Sequence, residues 1–184
     1  MKILFHKEEI FYDGSQLSER WIYKNFKIMG DACVAFIGGC DVKNEYMADL
    51  EDLTGGKRIK AEKMLHFIFE IFSYPPKSCS ILQRLFILTL KELLEAKTRK
   101  ILLRRGNDIY FEEKKLNVSV AVPCVSSYLI HIGLNIDGKG APVPVITLPE
   151  LGVEPESFAT ESLEGLKLEF ESSLNAIYKV RSGR

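Results

Sequence analysis

The stretch RRGNDIYFEEKKLNVSVAV, Arg104 to Val122, decides how this chain is read. An Asn-Asp pair, Asn107-Asp108, follows two arginines, and a Lys-Lys pair, Lys114-Lys115, precedes a β-branched run. Alternating residues around Glu112-Glu113 predict strand from Ile109 to Val122 folded over that turn, so Asn107-Asp108 falls at a sheet rim. Lys115 opens the returning strand and comes back to the same rim. An amide, a carboxylate and an ammonium are thereby gathered at one edge. Such a trio can hold a small acid through the lysine while the aspartate positions a hydrated magnesium ion or a donor group. On spacing alone, a solvated Glu-Glu-Lys-Lys hairpin tip is the simpler reading.

Outward from this stretch, the pattern is one of strands and helices in alternation. KILFH and IFYDG suggest a hairpin around Lys7-Glu8-Glu9, SQLSERWIYKNFKI takes helical spacing, and Gly30 is its stop. ACVAFIGG predicts a buried strand, and NEYMADLEDLTGGKR predicts a strand and a turn at Gly55-Gly56. MLHFIFEIF, Met64 to Phe72, is aromatic enough to favour strand. The clearest amphipathic helix starts at Ser78, with Ile81, Leu82, Leu85, Leu88 and Leu93 on its apolar face. Strands are expected over 100–104 and 127–136 as well, and a closing helix over 155–180. The sum is α+β: a mixed, largely antiparallel sheet with packed helices, in one domain spanning 1–184.

Composition narrows the classes of function. With 184 residues, 46% of them hydrophobic, the chain can fill a core, and a formal net charge of +0 offers no basic excess for nucleic acid. No apolar run reaches the roughly 18 residues that a bilayer span needs, and MKILFHKEE lacks the apolar centre of a secretion signal. A cytoplasmic protein with no membrane or nucleic-acid partner is expected. Cys33, Cys40, Cys79 and Cys124 are scattered without a C-x-x-C pair, which argues for reduced thiols and no metal cluster.

NDIYFEEKKL is similar to the catalytic domain of biotin protein ligases and lipoate-protein ligases, in which Asn-Asp-hydrophobic, a turn and Lys-hydrophobic follow one another. The resemblance puts Lys115 at the catalytic lysine and Asn107-Asp108 at the Asn-Asp pair. LIHIGLNID resembles the ligase strand ending in Gly-hydrophobic-Asn, here Gly133, Leu134 and Asn135. GDACVAF resembles the strand before the ligand loop, and DGSQL the Ser/Thr-Asn stretch that holds the ligand's polar head, here Ser15 and Gln16. These segments span roughly residues 10–137, leaving 140–184 as a C-terminal strand and helix extension. The resemblance implies a class II synthetase-related fold that binds a small carboxylic acid or its activated acyl form, with magnesium-ATP as cofactor through Asp108 and an amine of a protein acceptor as target. Arg105 is a further candidate for an anionic ligand tail. Lys115 is expected to share a ligand-facing row with Asn117 and Ser119, by the strand period of two, while Leu116, Val118 and Val120 meet the helices.

Departures from the ligase pattern carry their own expectations. IGGCDVKNEYMADLED stands where the ligases have a glycine- and arginine-rich phosphate loop, which predicts weak or absent ATP binding. Leu116-Asn117-Val118 replaces a glycine that lets ligand approach the backbone, and so predicts a smaller or differently placed ligand. The related lipoyl/octanoyl transferases use a Lys and a Cys; aligned through Asn135, their nucleophile falls on Ser127, with Cys124 nearby and read as a structural thiol. His66 and His131 read as structural groups in strands. The rival to an acyl ligase is a non-catalytic metabolite-binding or assembly module on the same fold. The oligomeric state, monomer or homodimer, is open at this point.

Overall fold

MLHFIFEI, Met64 to Ile71, is buried at every position, as a strand covered on both faces must be. It runs through the middle of a five-stranded sheet in the computed structural model, which describes residues 1–181; the last residues of the expected C-terminal extension, 182–184, lie outside it. The strands of this sheet are β1 (Lys2–His6), β2 (Ala32–Asp41), β3 (Lys60–Ile71), β7 (Asn117–Pro123) and β8 (Tyr128–Asp137), in the order β1-β2-β3-β8-β7. β1 is parallel to β2 and every other junction is antiparallel. A second sheet of three strands holds β4 (Leu103–Arg105), β5 (Asp108–Phe111) and β6 (Lys114–Lys115). The helices are α1 (Trp21–Phe26), α2 (Leu50–Thr54), α3 (Cys79–Thr98) and α4 (Pro155–Tyr178). The fold is therefore α+β with a mixed, largely antiparallel sheet.

The two faces of the large sheet divide the core. On one, Phe67, Phe69, Ile130 and Ile132 pack against Phe86 and Leu90 of α3 and Phe158 and Phe170 of α4. Phe69 and Phe86 stack with ring centres 4.5 Å apart. On the other, Val34, Phe36, Met64 and Ile68 pack against Tyr12, Ile22 and Met47. α4 starts where Glu154 accepts hydrogen bonds from the Glu156 and Ser157 amides, with Pro155 in its first turn. Among the described residues, no helix is long and apolar enough to cross a membrane.

Three local expectations are overturned. The first strand makes no hairpin with Ile10–Gly14. After β1 pairs with the first half of β2, residues 10–12 rejoin the second half in the same direction: the Ile10 amide donates to the Ile37 carbonyl, the Tyr12 amide to Gly39 and the Asp41 amide to Tyr12. Lys7–Glu9 leave the ladder between these two pairings. The helix expected over 15–28 shrinks to the six residues of α1, because Arg20 (φ 64°) and Lys27 (φ 58°) break the backbone on either side. The strand expected over 44–58 is instead a single 3-10 turn and α2, whose Asp49 side chain accepts from the Glu51 and Asp52 amides; short acidic residues form such caps more readily than strands.

The rejoining segment explains Gly38. A Cβ there would lie 1.9 Å from the Ile10 carbonyl oxygen, a backbone atom that cannot step aside. Gly38→Ala is expected to push the 10–12 segment off the sheet and to destabilise the protein by about 1–3 kcal/mol, read as a lower urea midpoint in chemical denaturation. An unchanged midpoint would mean that this segment contributes nothing to the fold.

Candidate functional site

On the sheet face opposite α3 and α4 lies an open cleft of about 950 Å³, near the upper end of the ~300–1,000 Å³ usual for small-molecule sites. Met64 of β3, His131 of β8 and Val118 and Val120 of β7 line its inner part. Residues 42–60 supply one side, and the three-stranded sheet with Ala141–Val145 supplies the other. Apolar groups thus line the interior, and charged groups stand around the opening.

Lys115 is held into this cleft by backbone. Its amide donates to Pro144, its carbonyl accepts from the Ile146 amide at 3.1 Å and from Asn135 Nδ2 at 3.1 Å, and it pairs with Tyr110 across β5–β6. Its ammonium meets Asp108 Oδ2 at 2.9 Å, both side chains being about one-quarter exposed. Lys114 is exposed and does not line the cleft. Arg105 stands at the rim, bonded to Glu113 at 3.2 Å, with its guanidinium 5.1 Å from the Tyr110 ring centre.

The remaining expected site residues divide between contact and support. Asn117 is fully buried. Its Oδ1 accepts from the Ile109 amide at 2.6 Å, and its Nδ2 donates to the Asn107 carbonyl at 3.0 Å. Asn107 in turn donates to Ser119 Oγ at 3.1 Å, and Gln83 of α3 donates to that same hydroxyl. The row expected to face ligand is therefore altered: Asn117 and Ser119 border the cleft but direct their polar groups to Ile109, Asn107 and Gln83, Val118 and Val120 line the cleft beside them, and Leu116 alone of its row packs in the helix-side core. A break between β6 and β7 at Leu116 shifts the alternation, so the period of two counted from Lys115 does not carry across it. Asn135 supports Lys115 from behind. Gly133 leaves room for Met64, whose Cε would lie 3.0 Å from an added Cβ. Ser15 and Gln16 do not reach the cleft: Ser15 Oγ donates to Asp13 at 2.6 Å, and Gln16 closes a turn with the Phe11 carbonyl and the Asp13 amide.

Sequence reasoning missed two groups. GGKRIK, Gly55 to Lys60, brings Lys57, Arg58 and Lys60 to the cleft opening, just beyond the Ile37–Asp52 stretch that holds no arginine. Lys57 is paired with Asp52 at 2.8 Å, and Arg58 and Lys60 share Asp41, each at 3.2 Å. The signal for them is the run of basic residues after Gly55-Gly56, within eight residues of Asp52. The second group is a buried pair: His66 Nδ1 lies 3.0 Å from His131 Nε2, with Phe36 stacked on His66 and Tyr12 on His131. Burial pushes His66 down to about 4 and His131 well below the usual histidine range, so both are neutral near pH 7. No sequence signal pairs them, because they lie on different strands.

Neither alternative nucleophile reaches the cleft. Cys124 is half-buried at the end of β7, its thiol pushed up by burial, and Ser127 is sealed with its hydroxyl toward Glu70 at 3.4 Å. Among the described residues, no cluster of three His, Cys, Asp or Glu side chains could hold a metal ion.

With this geometry in hand, residues 1–181 match the family described as a domain of unknown function, DUF366, and the chain belongs to that family. An uncharacterised protein of Methanocaldococcus jannaschii is 38% identical over 160 residues, which cover 84% of this chain and 72% of that one. A protein of unknown function from Pyrococcus horikoshi superposes with a TM-score of 0.95 at 42% identity, over 100% of this chain and 99% of that one. A biotin protein ligase mutant from Aquifex aeolicus in complex with biotin superposes at 0.62 with 19% identity, covering 93% and 70% of the two chains. LipL1 of P. falciparum in complex with lipoate superposes at 0.59 with 12% identity, covering 94% and 63%. The fold is that of the biotin and lipoate ligases; identities this low carry the fold alone.

The histidine pair makes a pH prediction. The folded pKa of His66 lies below its unfolded value of 6.5, so between pH 6.5 and about 4 the unfolded chain binds a proton that the folded chain refuses. Stability is complete above that window and is lost as pH falls through it. Urea unfolding near pH 5.5 is expected to show about 1–1.5 kcal/mol less stability than near pH 7.5 for each neutral histidine. His66→Gln should flatten the slope; the same slope in that variant would trace it to other groups.

Proposed function

We propose that the cleft binds a small carboxylic acid with an apolar tail, or its activated acyl form, and transfers the acyl group to an amine of a protein acceptor. The observation that carries this reading is the Lys115–Asp108 pair at the opening of a cleft lined with apolar side chains. Apolar walls favour the tail, and the ammonium favours the carboxylate. In transfer, the amine nitrogen attacks the acyl carbon, the bond to the leaving phosphate or thiolate breaks, and the amine gives up a proton. Lys115 stabilises the charge growing on the acyl or phosphoryl oxygen. Asp108 keeps that ammonium in position and accepts the proton.

Magnesium-ATP is the activating substrate that fits the cations around the opening. Lys57, Arg58 and Arg105 offer charge-assisted donors to phosphate, each in exchange for an acid already paired with it, and Asp108 offers an oxygen to the metal. The weak ATP binding expected from Ile37–Asp52 rests on the lack of arginine there, and Lys57 and Arg58 lie just beyond it. A non-catalytic binding module is the second reading. It is favoured by the acid paired with each of these cations and by the distance of Cys124 and Ser127 from the cleft.

Native mass spectrometry of freshly purified protein, followed by calorimetry with biotin, lipoate and octanoate, tests the acid-binding reading. Lys115→Ala is expected to weaken binding by about 1.5–3 kcal/mol, the usual loss for a hydrogen bond to a charged group, and Lys114→Ala to leave it unchanged. Equal affinities in the two variants would remove Lys115 from the site. With acid bound, magnesium-ATP is expected to bind, and Arg58→Ala to weaken the nucleotide without changing acid affinity. Nucleotide binding that ignores Arg58 would place the phosphates elsewhere.

A further inference from the structure

The histidine pair has a definite proton order. His66 Nε2 lies 3.3 Å from the Gly38 carbonyl oxygen; a carbonyl only accepts, so Nε2 carries the proton. His66 Nδ1 is then a bare lone pair, and His131 Nε2, 3.0 Å away, must donate to it. In a neutral imidazole this leaves His131 Nδ1 without a proton. That nitrogen has no hydrogen-bond partner among the described residues. The side-chain polar atoms that are both sealed and unpartnered are Glu19 Oε1, the Tyr128 hydroxyl and the Ser162 hydroxyl; His131 Nδ1 is not one of them, and the residue lines the cleft. A buried ring needed only for packing would have its polar atoms matched.

Position decides what this lone pair can meet. His131 faces Val120 on β7 and stacks on the Tyr12 ring, so its surroundings are apolar apart from the His66 ring and the Tyr12 phenol. Asn135, which holds the Lys115 carbonyl, stands four residues further along β8, roughly 13 Å away at strand rise. Lys115, bonded to Asp108 at the opening, and His131, on the inner wall, thus line different parts of the same cleft. A plain hydrocarbon end would cover Nδ1 and leave it unpaired, whereas an O–H or N–H would satisfy it.

We infer that His131 Nδ1 selects acids that carry a hydrogen-bond donor, hydroxyl or N–H, at the end remote from the carboxylate. This rests on the acid-binding reading above. It adds a specificity-determining residue that Lys115 and the charged rim do not supply. His66 and the Gly38 carbonyl act behind it, holding the tautomer that presents an acceptor to the cleft.

Calorimetry of octanoate against ω-hydroxyoctanoate, with wild type, His131→Phe and Lys115→Ala, tests the inference. Wild type is expected to prefer the hydroxylated acid about three- to tenfold, the range of one net hydrogen bond. His131→Phe should retain octanoate and lose the preference, whereas Lys115→Ala should weaken both acids in proportion. Equal affinity of wild type for the two acids, or the same preference in His131→Phe, overturns this inference and leaves acid binding standing. Failure of wild type to bind either acid overturns both. Should His131→Phe not fold, nitrogen NMR of the labelled imidazoles in wild type decides: the hydroxylated acid is expected to shift His131 Nδ1 relative to octanoate. A resonance that does not move with the hydroxyl overturns the inference.

Discussion

The antiparallel pairing of β3 with β8, from Met64 opposite Asn135 to Ile71 opposite Tyr128, is the constraint on which the rest of the structure depends. Both strands are covered on two sides, so every side chain along them must suit either the helix-packed core or the cleft, and the period of two assigns which. Phe67, Phe69, Ile130 and Ile132 take the helix side. His66, Glu70, His131 and Asn135 take the other. A slip of one residue would drive either His66 and Glu70 or His131 and Asn135 into a hydrocarbon core, so register and site are specified together.

Polar groups on the cleft side are tolerated because, His131 Nδ1 apart, they are answered. His66 is bonded to Gly38 and His131, Asn135 to the Lys115 and Ile146 carbonyls, and Glu70 to the Arg20 amide and Ser127. An unanswered buried polar group would cost about 1–3 kcal/mol, so these bonds govern the positions of neighbouring elements as well as their own side chains. Asn135 is the clearest case: it ties β8 to Lys115 and to the 144–146 segment at once. Through it, the central sheet dictates where the ammonium of the cleft stands.

Placing the charge on a small separate sheet has a chemical consequence. β4, β5 and β6 carry Arg105, Asp108 and Lys115 at the rim, while the large sheet supplies apolar side chains below. Charge is therefore kept near water, where its desolvation is inexpensive, and the interior is left for a tail. The Lys57–Lys60 segment brings further cations from the opposite side. A ligand with an anionic head and an apolar body matches that distribution better than a nucleic acid or a uniformly polar metabolite does.

Local chemistry in the sequence was sufficient for the long elements and for the hairpin. The apolar run of β3, the helical extent of α3 and the Asn107-Asp108 and Lys115 spacing were legible because each is set by neighbours in the chain, whereas the buried face of α3 is Leu82, Phe86, Leu90 and Leu94, with Ile81 of the expected face exposed. The direction of the 10–12 segment was not, since a parallel return beside β2 depends on Gly38 and on a distant strand rather than on the turn between. The roles of Asn117 and Ser119 also lay outside it, because a break at Leu116 shifts the side-chain alternation and only the positions of Ile109, Asn107 and Gln83 show where the polar groups turn. What could be read along the chain was the type of the long elements β3, β8, α3 and α4 and the charged pair at the rim. Only tertiary structure decided that Lys57–Lys60 faces Lys115 across the cleft and that His66 meets His131. Those contacts join residues on separate elements, whose distance is set by sheet order and strand register rather than by any spacing along the chain.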